Sequence, residues 1–294
     1  MDNKKVVIVT GASRGIGRAT AKLFLEKGCI VYALARSGCD LSGVNSVVCD
    51  VTDGTQLKNA IDGIAEAEKH IDILINNAGS GISGAVEKTV PADARRLFEL
   101  NFFAPFEAIK YTIPYMRGSK GGRGINAGGR GINAGGKGIN AGGRGIYAGG
   151  KIINIGSIAG AMHIPFQTFY SASKAALEAL TNSLRGELAP FGIKLTTIMP
   201  GDTRTNFTDA REKDFEKEDP DYGRRIYNSI KLMEEDERNG IPPETVAQKI
   251  YRAACVKNPK PAYIVGFKYN FFAFLNRALP KRLVQWVLNL MYAK

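Results

Sequence analysis

The amino end constrains the architecture most. Residues 5–10 read KVVIVT, a short run rich in β-branched side chains, which is the pattern of a buried strand. GASRGIG follows at once, and the next run, RATAKLFLEKG, is helical in pattern. Gly11, Gly15 and Gly17 therefore stand in a strand-to-helix turn. Without Cβ atoms such a turn can bend sharply and admit a pyrophosphate against its backbone. The unpaired N–H groups that open the helix then face the anion. A nucleotide site at the edge of an α/β sheet is the expectation.

The rest of the chain alternates in the same way. Strands are expected at 5–10, 29–34, 46–49, 72–76, 151–155, 193–199 and 262–265, and helices at 15–27, 55–68, 91–117, 168–188 and 243–256. Such alternation implies a doubly wound, parallel seven-stranded sheet, with cofactor and substrate at the carboxyl ends of its strands. We expect one domain over 1–294, for which an apolar content of 44% supplies a large core. The four cysteines form no Cys-x-x-Cys pair and only two histidines accompany them, so no metal is expected. A reduced, cytoplasmic protein is the simplest reading. The first strand starts by residue 5, leaving no room for a signal peptide, and no run of 18 apolar residues occurs.

Tyr170 and Lys174 are four residues apart in FYSASKAALEALTNSL, thirteen residues after Ser157. Positions i and i+4 share a helix face, so a phenol and an ammonium would be neighbours. A cation favours phenolate; moving a tyrosine from about 10 to about 7 needs about 4 kcal/mol. Alone, the pair is most often a solvated helix face. Its meaning comes from its company.

TGASRGIG (Thr10 to Gly17), CDV (Cys49 to Val51), NNAG (Asn76 to Gly79), Asn101 in LFELN, Ser157, Tyr170 with Lys174, and PGDTRT (Pro200 to Thr205) occur in this order. The chain thereby resembles the short-chain dehydrogenase/reductases over nearly its whole length outside residues 121–150. The resemblance implies a Rossmann-type fold and an oxidoreductase interconverting a ketone and a secondary alcohol. It assigns catalysis to Ser157, Tyr170, Lys174 and Asn101. Ser157 and Tyr170 would meet the reacting oxygen, Lys174 would hold the nicotinamide ribose and depress the Tyr170 pKa, and Asn101 would keep a water leading from Lys174 to solvent. It places the cofactor on Gly11, Ser13, Arg14, Gly15, Ile16, Gly17, Arg36, Asp50, Val51, Asn77, Ala78, Gly79, Tyr170, Lys174, Pro200, Gly201, Thr203 and Thr205. Where an acid would bind the ribose hydroxyls of NAD, the second strand ends in Ala35 and Arg36. With Arg14 this gives two guanidinium groups for a 2′-phosphate, so NADP(H) is expected over NAD(H). Relatives assemble through two helices, here 91–117 and 168–188, so a homodimer or homotetramer is expected.

Substrate walls are expected from Ser80 to Gly84, from Ala161 to Phe166, and from a lid over 202–240. The first two are small or apolar apart from His163 and the serines, which suits a hydrophobic substrate; His163 itself is expected to pack. The charged run DAREKDFEKED (209–219) reads as a solvated lid helix. Several phrases, among them NNAGSGISGAVEKT and LFELNFFAPF, resemble the 17β-hydroxysteroid dehydrogenase-like subgroup. That implies a steroid or lipid-like ketone; a 3-oxoacyl thioester reductase is the alternative. The extension 266–294 carries Leu283, Trp286, Val287, Leu290 and Met291 on one helical stripe, beside aromatic and basic residues. This fits core or subunit packing, a lid, or peripheral membrane contact.

Residues 122–149 stand apart as four copies of a seven-residue unit of the form GRGINAG. Three glycines per unit argue against a coiled coil, and the period excludes collagen. A flexible insertion over 121–150, leaving the edge of the sheet opposite the chemistry, is the expectation. Its four basic residues reduce the net charge from +12 to +8 when left out. A nucleic-acid or anion-binding appendage is the non-enzymatic alternative, but one interleaved aromatic, Tyr147, supplies little stacking, and nucleic acid is not expected as a partner.

Overall fold

The computed structural model describes residues 4–117, 149–213 and 215–292. Its elements run β1 (Val6–Thr10), α1 (Gly15–Glu26), β2 (Ile30–Ala35), β3 (Asn45–Val48), α2 (Gly54–Glu68), β4 (Ile73–Asn76), β5 (Ile82–Ser83), α3 (Pro91–Phe98) and α4 (Ala104–Arg117). They continue with β6 (Lys151–Ile155), α5 (Thr168–Leu188), β7 (Lys194–Pro200), α6 (Phe207–Ala210), β8 (Glu212–Lys213), α7 (Arg225–Arg238), α8 (Pro243–Cys255), β9 (Ala262–Val265), α9 (Phe267–Ala278) and α10 (Lys281–Tyr292). Seven strands form one parallel sheet in the order β3-β2-β1-β4-β6-β7-β9. β1 and β4 are neighbours, and from them the order runs outward in both directions, which opens a crevice at their carboxyl ends.

The central strands are mostly apolar because both faces are covered. One core layer lies under α2 and α4, around Ile8, Leu57, Ile61, Leu74, Ile109 and Met116. The other lies under α1 and α8, around Val7, Phe24, Ile75, Ile198 and Ile250. A buried polar chain runs through the sheet: Asn76 Nδ2 donates to Asn154 Oδ1 at 2.8 Å, and Asn154 Nδ2 donates to Thr181 Oγ1 at 2.8 Å. It ties β4, β6 and α5 in register below the site.

Four expectations are corrected. The helix expected over 91–117 is widened at Glu99–Phe103 into a π-turn, which carries Asn101; such turns re-aim a side chain without ending the helix. The run 209–219 is not a helix beyond Ala210: β8 leaves to pair with β5, and the Asp219 carboxylate accepts from the N–H groups of Asp221 and Tyr222 in a turn around Pro220. The helix is α7 instead, and it is not solvated all round, since Ile226, Ile230 and Met233 are buried beneath Ala85 and Phe166. The stripe Leu283, Trp286, Val287, Leu290 and Met291 does not enter the core; all five are exposed, and α10 is seated by Leu288 and Tyr292. His163 is exposed and so does not pack.

Residues 118–148, and with them almost all of the repeat, lie outside the described residues. Its flanks stand at the amino ends of the strands: Arg117 stacks 3.6 Å from the centre of the Phe191 ring, just before β7, and Gly149 abuts the Gly192 backbone.

Candidate active site

The glycine turn closes on itself and on β4. A Cβ at Gly17 would stand 2.3 Å from the Gly11 carbonyl oxygen and 2.4 Å from Asn77 Nδ2, a fit only glycine permits. Gly11 and Gly15 take left-handed φ values of 64° and 54°. Asn77 Nδ2 donates to the carbonyls of Thr10 and Gly11 at 2.9 and 3.1 Å, while Thr10 Oγ1 accepts from the N–H groups of Asn77 and Ala78. The motifs TGASRGIG and NNAG thus form one rigid body. α1 begins at Gly15 with no side-chain cap at Arg14 and no acid in its first turn. Its first N–H groups are left for an anion, so this end fits the phosphates of a dinucleotide.

Arg14 and Arg36 are both exposed, at the start of α1 and just beyond the end of β2. The segment after Arg36 folds back onto the glycine turn: Asp40 pairs with Arg18, and Cys39 Sγ donates to the Ala12 carbonyl at 3.4 Å. Asp50 follows β3 and accepts from the N–H and hydroxyl of Thr52; Val51 is buried beside it. Thr205 approaches Gly15 from across the turn, and Thr203 Oγ1 donates to the Gly201 carbonyl at 3.0 Å. Pro200 ends β7. Gly201 is covered by the Tyr269 ring of α9, whose hydroxyl donates to Asp202; α9 was not anticipated from the sequence.

Ser157, Tyr170, Lys174 and Asn101 come together. Ser157 follows β6; its Oγ accepts from the Ala159 N–H at 3.1 Å, and it stands close enough to the Tyr170 phenol to favour its ionised form. Lys174, one turn along α5, is buried, with Nζ 5.8 Å from the Tyr170 ring centre and 2.9 Å from the Ile155 carbonyl that it donates to. Asn101 is fully buried: its Nδ2 donates to the Ser80 carbonyl and to Ser173 Oγ, and its Oδ1 accepts from the Ser80 N–H, each at 3.0 Å. Asn101 Oδ1 and Lys174 Nζ share one face of Gly79, 3.1 and 3.4 Å from where its Cβ would be. Ser173 and Asn154 were not singled out by sequence, and Ser80 was expected only in a substrate wall, because a serine or asparagine without its partner carries no signal.

The electrostatics depart from the sequence expectation. Burial pushes the Tyr170 phenol up to about 12, with Glu237 and Asp202 adding to the rise and Ser157 and Arg211 opposing it. Burial also draws Lys174 down to about 8. The ammonium does not bring the phenol towards neutrality: it is itself desolvated, and its hydrogen bond goes to the Ile155 carbonyl. At neutral pH the arrangement holds a protonated phenol.

The expected substrate walls meet in space. The Gly81 carbonyl accepts from the Glu212 N–H at 3.0 Å, and Gly84 N–H donates to the Phe166 carbonyl at 2.9 Å. Phe207 lies 5.6 Å from the Tyr170 ring. Beside the second wall, Pro165, Phe166, Tyr222, Trp286 and Leu290 line a groove of about 400 Å³.

Comparison with known proteins agrees with this geometry. The short chain dehydrogenase family model matches residues 5–139 and 147–216. The chain is 35% identical over 292 residues to the 3-ketodihydrosphingosine reductase of Bacteroides thetaiotaomicron, covering 98% of each. It is 29% identical over 291 residues to the NADPH-dependent 3-dehydrocapnine reductase of Ornithobacterium rhinotracheale, covering 95% of this chain and 94% of that one. Among solved structures, a short-chain dehydrogenase from Streptomyces avermitilis superposes with a TM-score of 0.76 at 28% identity, covering 97% and 96%. An open parallel sheet, a glycine turn locked to β4 and two matching reductases of full length lead to one conclusion: the chain belongs to the short-chain dehydrogenase/reductases, oxidoreductases that interconvert carbonyls and alcohols with a nicotinamide cofactor.

Proposed function

We propose that this protein is an NADP(H)-dependent reductase of a long-chain lipid ketone, of the class of 3-ketodihydrosphingosine. One observation carries the chemistry: a protonated, half-buried Tyr170 beside Ser157, with Lys174 and Asn101 at its side and the uncapped start of α1 at the same end of the sheet. Two matching reductases, named for 3-ketodihydrosphingosine and for 3-dehydrocapnine, support the substrate class. Bound to the glycine turn, NADPH would supply a hydride to the carbonyl carbon. Arg14 and Arg36 would grip its 2′-phosphate, with Ser13, Ile16, Asp50, Val51, Asn77, Ala78, Thr203 and Thr205 around the rest. Ser157 and Tyr170 donate to the oxygen on which negative charge grows, and Tyr170 delivers its proton. Lys174 and Asn101 position that proton path from the side of Gly79.

The segment 202–240 forms the lid in this reading, and the groove beside Phe166 and Trp286 takes the apolar chain. α9 and α10 support peripheral contact with a membrane. Phe271, Phe274 and Trp286 are exposed on them, Lys268, Arg277, Lys281 and Arg282 accompany these, and residues 267–294 contain no acid. Among the described residues no helix is long and apolar enough to cross a bilayer. Phe103 and Phe106, exposed on and beside α4, suit the expected contact between copies of this chain. The test is NADPH oxidation by purified protein against 3-ketodihydrosphingosine, a ketosteroid and an acetoacetyl thioester. Turnover confined to the first supports the proposal; preference for either of the others refutes it.

A further inference from the structure

One buried cation near Tyr170 has no part in the proton path. Arg211 is 5% exposed. Its Nη2 pairs with Glu237 Oε1, and the other Glu237 oxygen accepts from Thr208 Oγ1 at 2.7 Å. Its Nη1 is buried and has no hydrogen-bond partner among the described residues. The guanidinium lies 5.6 Å from the Phe207 ring centre, and Phe207 in turn lies 5.6 Å from Tyr170. At Gly81, in the wall opposite, a Cβ would stand 2.9 Å from Phe207 and 3.6 Å from Arg211 Nε. Arg211 and Glu237 both alter the proton affinity of Tyr170, in opposite directions.

A buried donor without an acceptor destabilises a fold, and each such group calls for an explanation. A purely structural ion pair would be complete with the Glu237 contact. Here the pair is completed on one side only, and Glu237, held by Thr208, fixes the guanidinium in place.

We infer that Arg211 Nη1 is the donor for an acceptor oxygen on the polar end of the ketone substrate, so that the Arg211–Glu237 pair reads the head while Tyr170 acts on the ketone. This rests on the lipid-ketone reading above. Glu237 cancels the charge of Arg211, and Asp202 and Asp236 stand nearby around Lys268. The subsite therefore suits a neutral hydroxyl better than a full anion. In 3-ketodihydrosphingosine that oxygen is the terminal hydroxyl.

The experiment compares kcat/KM for 3-ketodihydrosphingosine and for the analogue lacking its terminal hydroxyl, in wild type and R211M. The wild type should favour the hydroxylated ketone by about ten- to a hundredfold, the discrimination of one hydrogen bond to a charged donor. In R211M the preference should collapse to within about threefold. A merely structural arginine would lower both substrates together and leave the ratio unchanged, which overturns the inference alone. Turnover of neither substrate by the wild type overturns the substrate reading and this subsite with it. If R211M unfolds because Glu237 loses its counter-charge, R211M/E237Q carries the same comparison.

Discussion

Replacing Lys174 with methionine should make the unliganded protein more stable at neutral pH while abolishing turnover. Lys174 is 5% exposed, and burial lowers its pKa from 10.5 to about 8. Each unit is worth about 1.36 kcal/mol, so holding the charged form inside costs about 3 kcal/mol. Below about pH 8 the amine is charged in both folded and unfolded chains, and the penalty is fully present. Between about pH 8 and 10.5 the unfolded chain keeps the proton that the folded one gives up, so wild-type stability rises with pH. Above that range the penalty is gone. Methionine removes it at every pH but strands the Ile155 carbonyl that Nζ bonds at 2.9 Å, at about 1–2 kcal/mol.

Near pH 7, Lys174→Met should therefore be the more stable protein by about 1–2 kcal/mol, and near pH 10.5 the less stable by about as much. Urea denaturation of both proteins across this range, with equal slopes as the control for comparable unfolded states, reads the difference directly. Taking the difference cancels every other titrating group. A wild type more stable at pH 7, or a gap that ignores pH, would refute the claim that burial governs Lys174. A residue kept at such a cost is retained for its chemistry rather than for the fold.

Tyr170→Phe should leave NADPH affinity intact and lower turnover by about a thousandfold; near-normal rates would remove the phenol from its role. Arg14→Ala with Arg36→Ala should weaken NADPH binding by at least about tenfold and spare NADH, measured by fluorescence titration. Equal affinity for both cofactors in the wild type would already contradict the two-arginine reading. Gly17→Ala forces a methyl to 2.3 Å from the Gly11 oxygen; a loss of about 1–3 kcal/mol in denaturation is expected, and an unchanged midpoint would falsify the packing argument. Serine at Phe271, Phe274 and Trp286 together should abolish co-sedimentation with anionic vesicles without lowering the melting temperature; retained sedimentation speaks against that face.

Much of the fold was legible because its physics is local. All seven strands of the main sheet lie within a residue or so of their expected bounds, since a strand buried on both faces is mostly apolar, as VVIVT and KIINI are apart from Thr10, Lys151 and Asn154. The glycine turn was legible because no residue with a Cβ fits at Gly17. α7 was missed, though Ile226, Ile230 and Met233 do recur at helical spacing; the more densely charged run just before it drew the assignment, and there Pro220 and the Asp219 turn end any helix. Arg211 sits inside that same run. Nothing in DAREKDFEKED marks out Arg211 as buried, because its burial is made by Phe207 just before the run and by Gly81 and Glu237 from two distant segments. The Tyr170 expectation failed in the same manner. An i,i+4 spacing says which groups are near; it does not say how much water has been excluded from both. Proximity lowers a phenol pKa, exclusion raises it, and here exclusion wins. A phenol so placed keeps its proton at neutral pH, as an unshifted phenol would, and so has a proton to deliver to the oxygen of a carbonyl that accepts hydride.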